Sequence, residues 1–284
     1  MKKIFQMRSL AMLLLALLAA VCCYPVLFLA TGALMDSQEL AESLGPVLKG
    51  SDGFISWRLI PMFPTLQNYV ELLLDSPQFF VMFWNSVKLT GAVTAGQLLI
   101  GTPAAWGLAR FDFPLRRILY ILYIILMMMP FQVRMLSDYL VLEKLHLLDS
   151  HMGIILPAVF STFPVFIMYR FFSGIPEAVI ESAKLDGAGA VQIFLYIGVP
   201  LGAGGIVSSF VLNFFEYWNL IEQPLTFLKN RALWPLSLFL PDIGLEKAGI
   251  AFVSSVVTLI PAALIFLLGQ DYLEQGIAAA AVKE

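Results

Sequence analysis

Gly174-Ile-Pro-Glu-Ala-Val-Ile-Glu-Ser-Ala-Lys-Leu-Asp-Gly-Ala-Gly-Ala-Val-Gln-Ile-Phe194 is a polar island between two long apolar runs. Its charged residues Glu177, Glu181, Lys184 and Asp186 oblige the chain to leave any apolar environment here. Local chemistry predicts a short surface helix, a turn and a second short helix. Pro176 suits a first helical position, where its missing N–H is no loss, and Glu177 complements the positive end of the helix dipole. Gly187 suits a left-handed stop, and Asp186 can cap a second helix running through Val191 to Phe194.

Outward from the island the chain is apolar to a degree that water cannot accommodate. It is 60% hydrophobic and 13% charged, with a mean hydropathy of +0.85. A soluble domain carries roughly a quarter charged residues and a little under half apolar ones. The excess requires lipid as solvent, and about six runs approach the length of about 20 residues that a helix needs to cross a bilayer. They extend over Ser9 to Leu34, Val87 to Ala109, Ile118 to Leu136, Met152 to Phe172, Val199 to Ile221 and Ala248 to Gly269. The expectation is an all-α polytopic membrane protein. The first run outlasts a signal-peptide core, which favours an uncleaved anchor. Cys22 and Cys23 lie side by side within it, and neighbouring cysteines seldom bridge each other.

Three segments follow from this pattern: residues 1–35 with the first span, a polar stretch over 36–78 read as an external loop or small cap, and the bundle over 79–284. With an even number of spans both termini share one side. Placing them in the cytoplasm puts Lys2, Lys3, Arg8, Arg110, Arg116, Arg117, Arg170 and Lys184 inside. The other face receives Lys49, Arg58, Lys144, Lys229, Arg231 and Lys247, partly balanced by acids in the same loops.

Several function classes are disfavoured. The net charge of −3 and the scatter of basic residues give no footprint for nucleic acid, although helix–turn–helix is a DNA-binding shape. The Gly202-Ala-Gly204-Gly205 stretch lacks the Lys-Ser/Thr of a phosphate loop, so no ATPase is expected in this chain. His146 and His151 have no evident third ligand for a metal. No paired nucleophile and base is evident.

The polar island resembles the EAA loop of binding-protein-dependent ABC importer permeases. Glu181-Ser182-Ala183 is followed by Asp186-Gly187-Ala188, then Phe194, Ile197 and Pro200-Leu201, with the family's spacing throughout. Ser182 stands where the family usually has Ala. Other stretches resemble the carbohydrate-importer branch, of the maltose-permease type. These are Asn85-Ser86-Val87-Lys88, Ala109-Arg110-Phe111 with Phe113-Pro114, Pro130-Phe131-Gln132-Val133, Trp218-Asn219 with Pro224-Leu225, and the tail from Gly276 to Lys283. Ser137 and Leu220 depart from the pattern, where the family often has Pro and an acid.

The resemblance implies a transport subunit rather than an enzyme. Residues 174–198 would be the coupling loop, with Glu181, Ser182, Ala183, Asp186, Gly187 and Ala188 seated in a groove of a separate ATPase. ATP and Mg²⁺ would be bound there, and no cofactor in this chain. Implied partners are a second permease, expected to be a different chain, two ATPase subunits, an extracellular solute-binding protein, membrane lipid and a sugar. For the sugar path the candidates are Gln132, Glu216, Tyr217, Trp218 and Asn219, which offer planar polar groups beside aromatic faces. Lys88, Arg134 and Glu222 read as side chains reaching from helix ends to an interface. The rival is a stand-alone proton-coupled carrier using Glu216, which only an ATPase-docking role for the island separates from an ABC permease.

Overall fold

The computed structural model describes residues 2–48, 54, 58, 60–239 and 247–281. Among them the regular elements are helices, and extended backbone pairs at one isolated bridge, Met35 with Pro64. In chain order they are α1 (Lys2–Gly32), α2 (Ser37–Leu48), α3 (Gln67–Leu74), α4 (Pro77–Arg110) and α5 (Arg116–Met127). Next come α6 (Phe131–Lys144), α7 (Met152–Val159), α8 (Thr162–Ser173) and α9 (Glu177–Leu185). A broken segment follows, made of α10 (Ala190–Ile193), a π-helical turn (Phe194–Gly198) and α11 (Val199–Leu201). The chain ends with α12 (Ala203–Trp218), α13 (Glu222–Phe227) and α14 (Ala248–Ala281). It divides into two compact units: Met1–Phe80 with Leu240–Ile260, and Val81–Phe239 with Pro261–Glu284.

In the first unit, α1 and the start of α14 meet through Phe252, whose ring lies 5.4 Å from Phe28 and crowds Gly32. Among the described residues, the polar stretch after α1 carries the helices α2 and α3. Glu39 of α2 accepts hydrogen bonds from the Met62 and Phe63 N–H groups at 3.0 and 3.3 Å. Asn68 of α3 donates to the Met35 carbonyl at 3.0 Å. Gly249 packs so tightly on Asn68 that a Cβ there would stand 2.4 Å from the amide nitrogen. Lys49 and Asp52 lie outside the described residues, as do the side chains of Lys2, Lys3 and Arg8 and those of the tail from Gly276 to Lys283.

Among the described residues, three stretches are long and apolar enough to cross a membrane: Ala11–Gly32, Met152–Ser173 and Ala248–Leu273. Two more qualify when each bent pair is taken as one span. Two of the expected runs are thus broken at particular places. The third run breaks through 101° between α5 and α6, because Pro130 is extended (ψ 152°) and a proline disfavours helix at the residue before it. The fifth run bends through 68° at Gly202, after the π-helical turn. The second run lies inside the 34-residue α4, which is long enough to span but is not among the strongly apolar helices.

The reason is that α4 is inverted. Asn85, Ser86, Thr90, Thr94, Gln97 and Thr102 are buried along it, while Val87, Leu99 and Ile100 face outward. Lipid forces this arrangement, since polar groups are costly there and turn to the protein interior. Trp106 meets Phe172 edge-on at 5.4 Å and lies 5.8 Å from Phe194. Gly198, Gly202 and Gly205 run along this aromatic shelf, where an added Cβ would come within 2.7, 2.3 and 2.6 Å of Trp106, Phe172 and Phe171. Small residues allow close approach in lipid, where no hydrophobic drive acts between helices. The glycine run that lacks phosphate-loop chemistry is thus a packing device.

Candidate functional site

The polar island folds as a helix, a tight stop and a helical re-entry. Helix α9 begins at Glu177 with Pro176 as its N-cap, one position earlier than expected, because Pro176 keeps an extended ψ of 135°. Glu177 lies in the first turn and Lys184 in the last, each matching the helix dipole. The stop is a Schellman motif. Gly187 has φ 83°, its N–H donates to the Lys184 carbonyl, and the Ala188 N–H donates to the Ala183 carbonyl, both at 3.0 Å. Asp186 ends α9 instead of capping the next helix. That N-cap is Gly189, whose N–H donates to the Gln192 side chain at 2.8 Å.

The spacing of apolar residues decides which face is free. Ile180 and Ala183, three apart, are buried with Phe172, Ile175 and Ile193 in the core of this region. Glu181, Ser182, Asp186 and Gly187 are exposed. So are Leu185, Val191 and Tyr196, at 88%, 69% and 77%. Large apolar residues flanking an acidic helix, on a structured loop, form a surface suited to docking.

A polar cavity of about 570 Å³ lies among α5, α6, α7, α8, α12 and α13. Its walls include Arg134, Ser161, Thr162, Glu216, Tyr217 and Gln223, with Phe131, Phe160 and Phe163 among the aromatic surfaces. Of the sequence candidates, Glu216 and Tyr217 line it. Gln132 points instead to Glu222, to which it donates at 2.5 Å. Trp218 is buried against Phe83 and Phe214, and Asn219 donates to the Phe215 carbonyl at the end of α12. Neither lines the cavity. Arg134, read from sequence as a side chain reaching for an interface, is in the wall, 3.6 Å from Asp138 one turn along α6.

Sequence reasoning missed Gln97. Its side chain, buried in the α4 seam, donates to the Ala158 carbonyl at 2.8 Å and to the Tyr217 hydroxyl at 3.3 Å. It therefore braces two residues of the cavity wall. The available signal was the row Ser86, Thr90, Thr94 and Gln97, a polar stripe at helical spacing inside an apolar run.

A second polar cluster joins the α6–α7 turn to the segment after α13. The Asp149 carboxylate accepts from the Lys229 and Asn230 N–H groups at 3.0 and 2.8 Å, and His151 Nε2 lies 2.9 Å from the Leu233 carbonyl. Asn85 of α4 donates to the Ala232 and Trp234 carbonyls, and Ser86 accepts from the Leu236 N–H. The histidines thus take part in a structural turn, and no group of metal-binding side chains occurs among the described residues.

Residues 97–279 match the model of the binding-protein-dependent transport system inner membrane component. The chain belongs to this family. It is an inner-membrane permease component, and the all-α, polytopic architecture is that of the family. Relatives include the arabinooligosaccharides transport system permease protein AraQ of Bacillus subtilis, 30% identical over 264 residues, covering 92% of this chain and 90% of its own. The sn-glycerol-3-phosphate transport system permease protein UgpE of Escherichia coli is 29% identical over 219 residues, or 72% and 74% of the two chains. Among solved structures, a bacterial ABC transporter involved in the import of the acidic polysaccharide alginate shares the fold. Its TM-score is 0.76 at 19% identity, covering 95% of this chain and 96% of that one.

Proposed function

We propose that this chain is a permease subunit of an ATP-driven importer carrying a neutral oligosaccharide, with residues 174–198 as its ATPase-coupling loop in a permease domain over 79–284. The observation that carries the reading is α9: a rigid helix, fixed by a Schellman stop, that buries Ile180 and Ala183 and leaves Glu181, Ser182 and Leu185 free. A free-standing carrier has no need of such a helix. Glu181 would meet a basic residue of the ATPase, and Gly187 would let two backbones approach closely.

The cavity supports the choice of cargo. Its wall holds one carboxylate, Glu216, and one guanidinium, Arg134, among hydroxyl, amide and aromatic groups. An anionic cargo would call for surplus cations, whereas hydroxyl-rich, uncharged sugars suit balanced polar groups beside aromatic surfaces. This favours a cargo like that named for AraQ over those named for UgpE or the alginate importer. The second permease, two ATPase subunits holding ATP and Mg²⁺, and an external binding protein would complete the assembly. The basic residues at the α4–α5 turn and at α9 support a cytoplasmic side there, and with it cytoplasmic termini.

The test is uptake of radiolabelled arabinotriose by vesicles containing the assembled importer, with Glu181→Lys and Gly187→Trp combined. Uptake should fall at least tenfold and the ATPase subunit should no longer co-purify, while the helical circular-dichroism signal is unchanged. Uptake that survives without ATP and follows a proton gradient would reject the importer reading. Competition by sn-glycerol 3-phosphate but not by xylotriose would reject the neutral cargo.

A further inference from the structure

We infer that Arg110 is a positioning residue that locks the coupling helix to α4, so that displacement of α9 becomes displacement of α4 and of the cavity wall it braces. The inference rests on the reading of residues 174–198 as the ATPase-docking loop. Arg110 is the last residue of α4, and its side chain is only 10% exposed. One terminal nitrogen donates to the Glu177 carboxylate at 3.0 Å, in the first turn of α9. The other donates to the carbonyls of Phe172, near the end of α8, and of Ile175, in the link to α9. The guanidinium lies over the Trp106 ring, 5.8 Å from its centre. A single cation thus joins the ends of three helices.

The geometry suits transmission for three reasons. First, the Phe172 carbonyl is met by backbone N–H groups only from the turn that follows, those of Gly174 and Ile175, and the planar guanidinium presents its donors in a fixed fork. Second, hydrogen bonds from an ionised donor are stronger than neutral ones, and this donor is sheltered by Trp106. Third, α4 runs as one helix of about 50 Å at 1.5 Å per residue, with Pro103 within it between Gln97 and Arg110. Farther along it, Gln97 holds the Ala158 carbonyl and the Tyr217 hydroxyl, and Asn85 holds the Ala232 and Trp234 carbonyls. Movement of α9 therefore reaches the cavity without passing through a flexible loop. Lys184 Nζ also approaches Glu177, at 3.9 Å, but it is 60% exposed and touches neither carbonyl.

The test uses the purified importer with Cys22 and Cys23 changed to Ser and spin labels placed at Phe111→Cys and at Ala178→Cys, an exposed position on α9 outside the residues assigned to the ATPase groove. The inter-label distance is read without nucleotide and after trapping with ATP, Mg²⁺ and vanadate. The lock predicts a narrow distribution whose mean is the same in both states. Arg110→Met, which keeps the packing on Trp106 but no donors, should broaden it at least twofold. Arg110→Lys, which keeps the charge but not the fork, should recover only part of the narrow population, a recovery that a purely packing role would not require. Glu177→Gln removes the charged arm alone and should give an intermediate width, and it serves if Arg110→Met does not assemble. A mean that changes on trapping in the unaltered latch, or an Arg110→Met distribution as narrow as the parent, would overturn the inference. Failure of the ATPase subunit to co-purify with the parent chain would reject the docking reading instead. The nucleotide-free widths would still decide whether Arg110 holds α9 to α4.

Discussion

Gly187 occupies backbone space that other residues enter at a cost, with φ at 83° and open space where a Cβ would project. A side chain there is penalised by conformation alone, not by collision. Gly187→Ala should therefore destabilise the Schellman stop by about 1 kcal/mol, the usual penalty for an L-residue in the left-handed region. Gly187→Asn should cost less, because Asn tolerates that region better. Thermal unfolding of the purified chain in detergent measures both, and equal stability of all three would mean that the turn relaxes. This glycine was legible in the sequence because a left-handed stop demands little else. Pro176 was misplaced by one residue because an N-cap and a first helical position share the same φ and differ only in ψ. Asp186 was misassigned because Gln192, three residues beyond Gly189, supplies the bond that Asp186 was expected to make.

For whole elements, apolar runs located the helices but not their breaks. Hydropathy counts side chains, whereas the 101° break at Met128–Pro130 and the bend at Gly202 are properties of backbone and packing. The same averaging hid α4, whose polar seam lowers its hydropathy while making it central to the cavity. Glu216 and Tyr217 were legible as ionisable and aromatic groups in an apolar setting. Trp218 misled because the same aromatic chemistry serves a core, and one residue of helical rotation separates wall from core. The seam makes its own prediction. Gln97→Leu removes two hydrogen bonds but also a buried amide oxygen that has no partner. Hydrogen bonds between membrane helices average about 0.6 kcal/mol, so the loss of stability should stay under about 1 kcal/mol. Uptake should nevertheless fall severalfold, because the Tyr217 hydroxyl and the α7 wall lose a shared brace. Unfolding and arabinotriose uptake, measured on the same preparation, separate the two. Parallel losses in both would show that Gln97 only stabilises.

Over the molecule as a whole, the inverted character of α4 has its effect before the protein is complete. Residues 77–110 are synthesised ahead of the helices that satisfy them: Ala158 follows in α7, Tyr217 in α12, and the Ala232 and Trp234 carbonyls later still. A nascent chain ending near residue 150 would present Asn85 and Gln97 to lipid without the later groups they bond in the finished protein, at a cost of several kcal/mol for unsatisfied groups. Such a segment should linger at the insertion machinery or with a chaperone until α12 emerges. Cysteine-accessibility mapping of arrested chains should find α4 reachable by water-soluble reagents at residue 150 and shielded by residue 240. Maturation of this protein is therefore a matter of order in time: the helix made early waits for those made late.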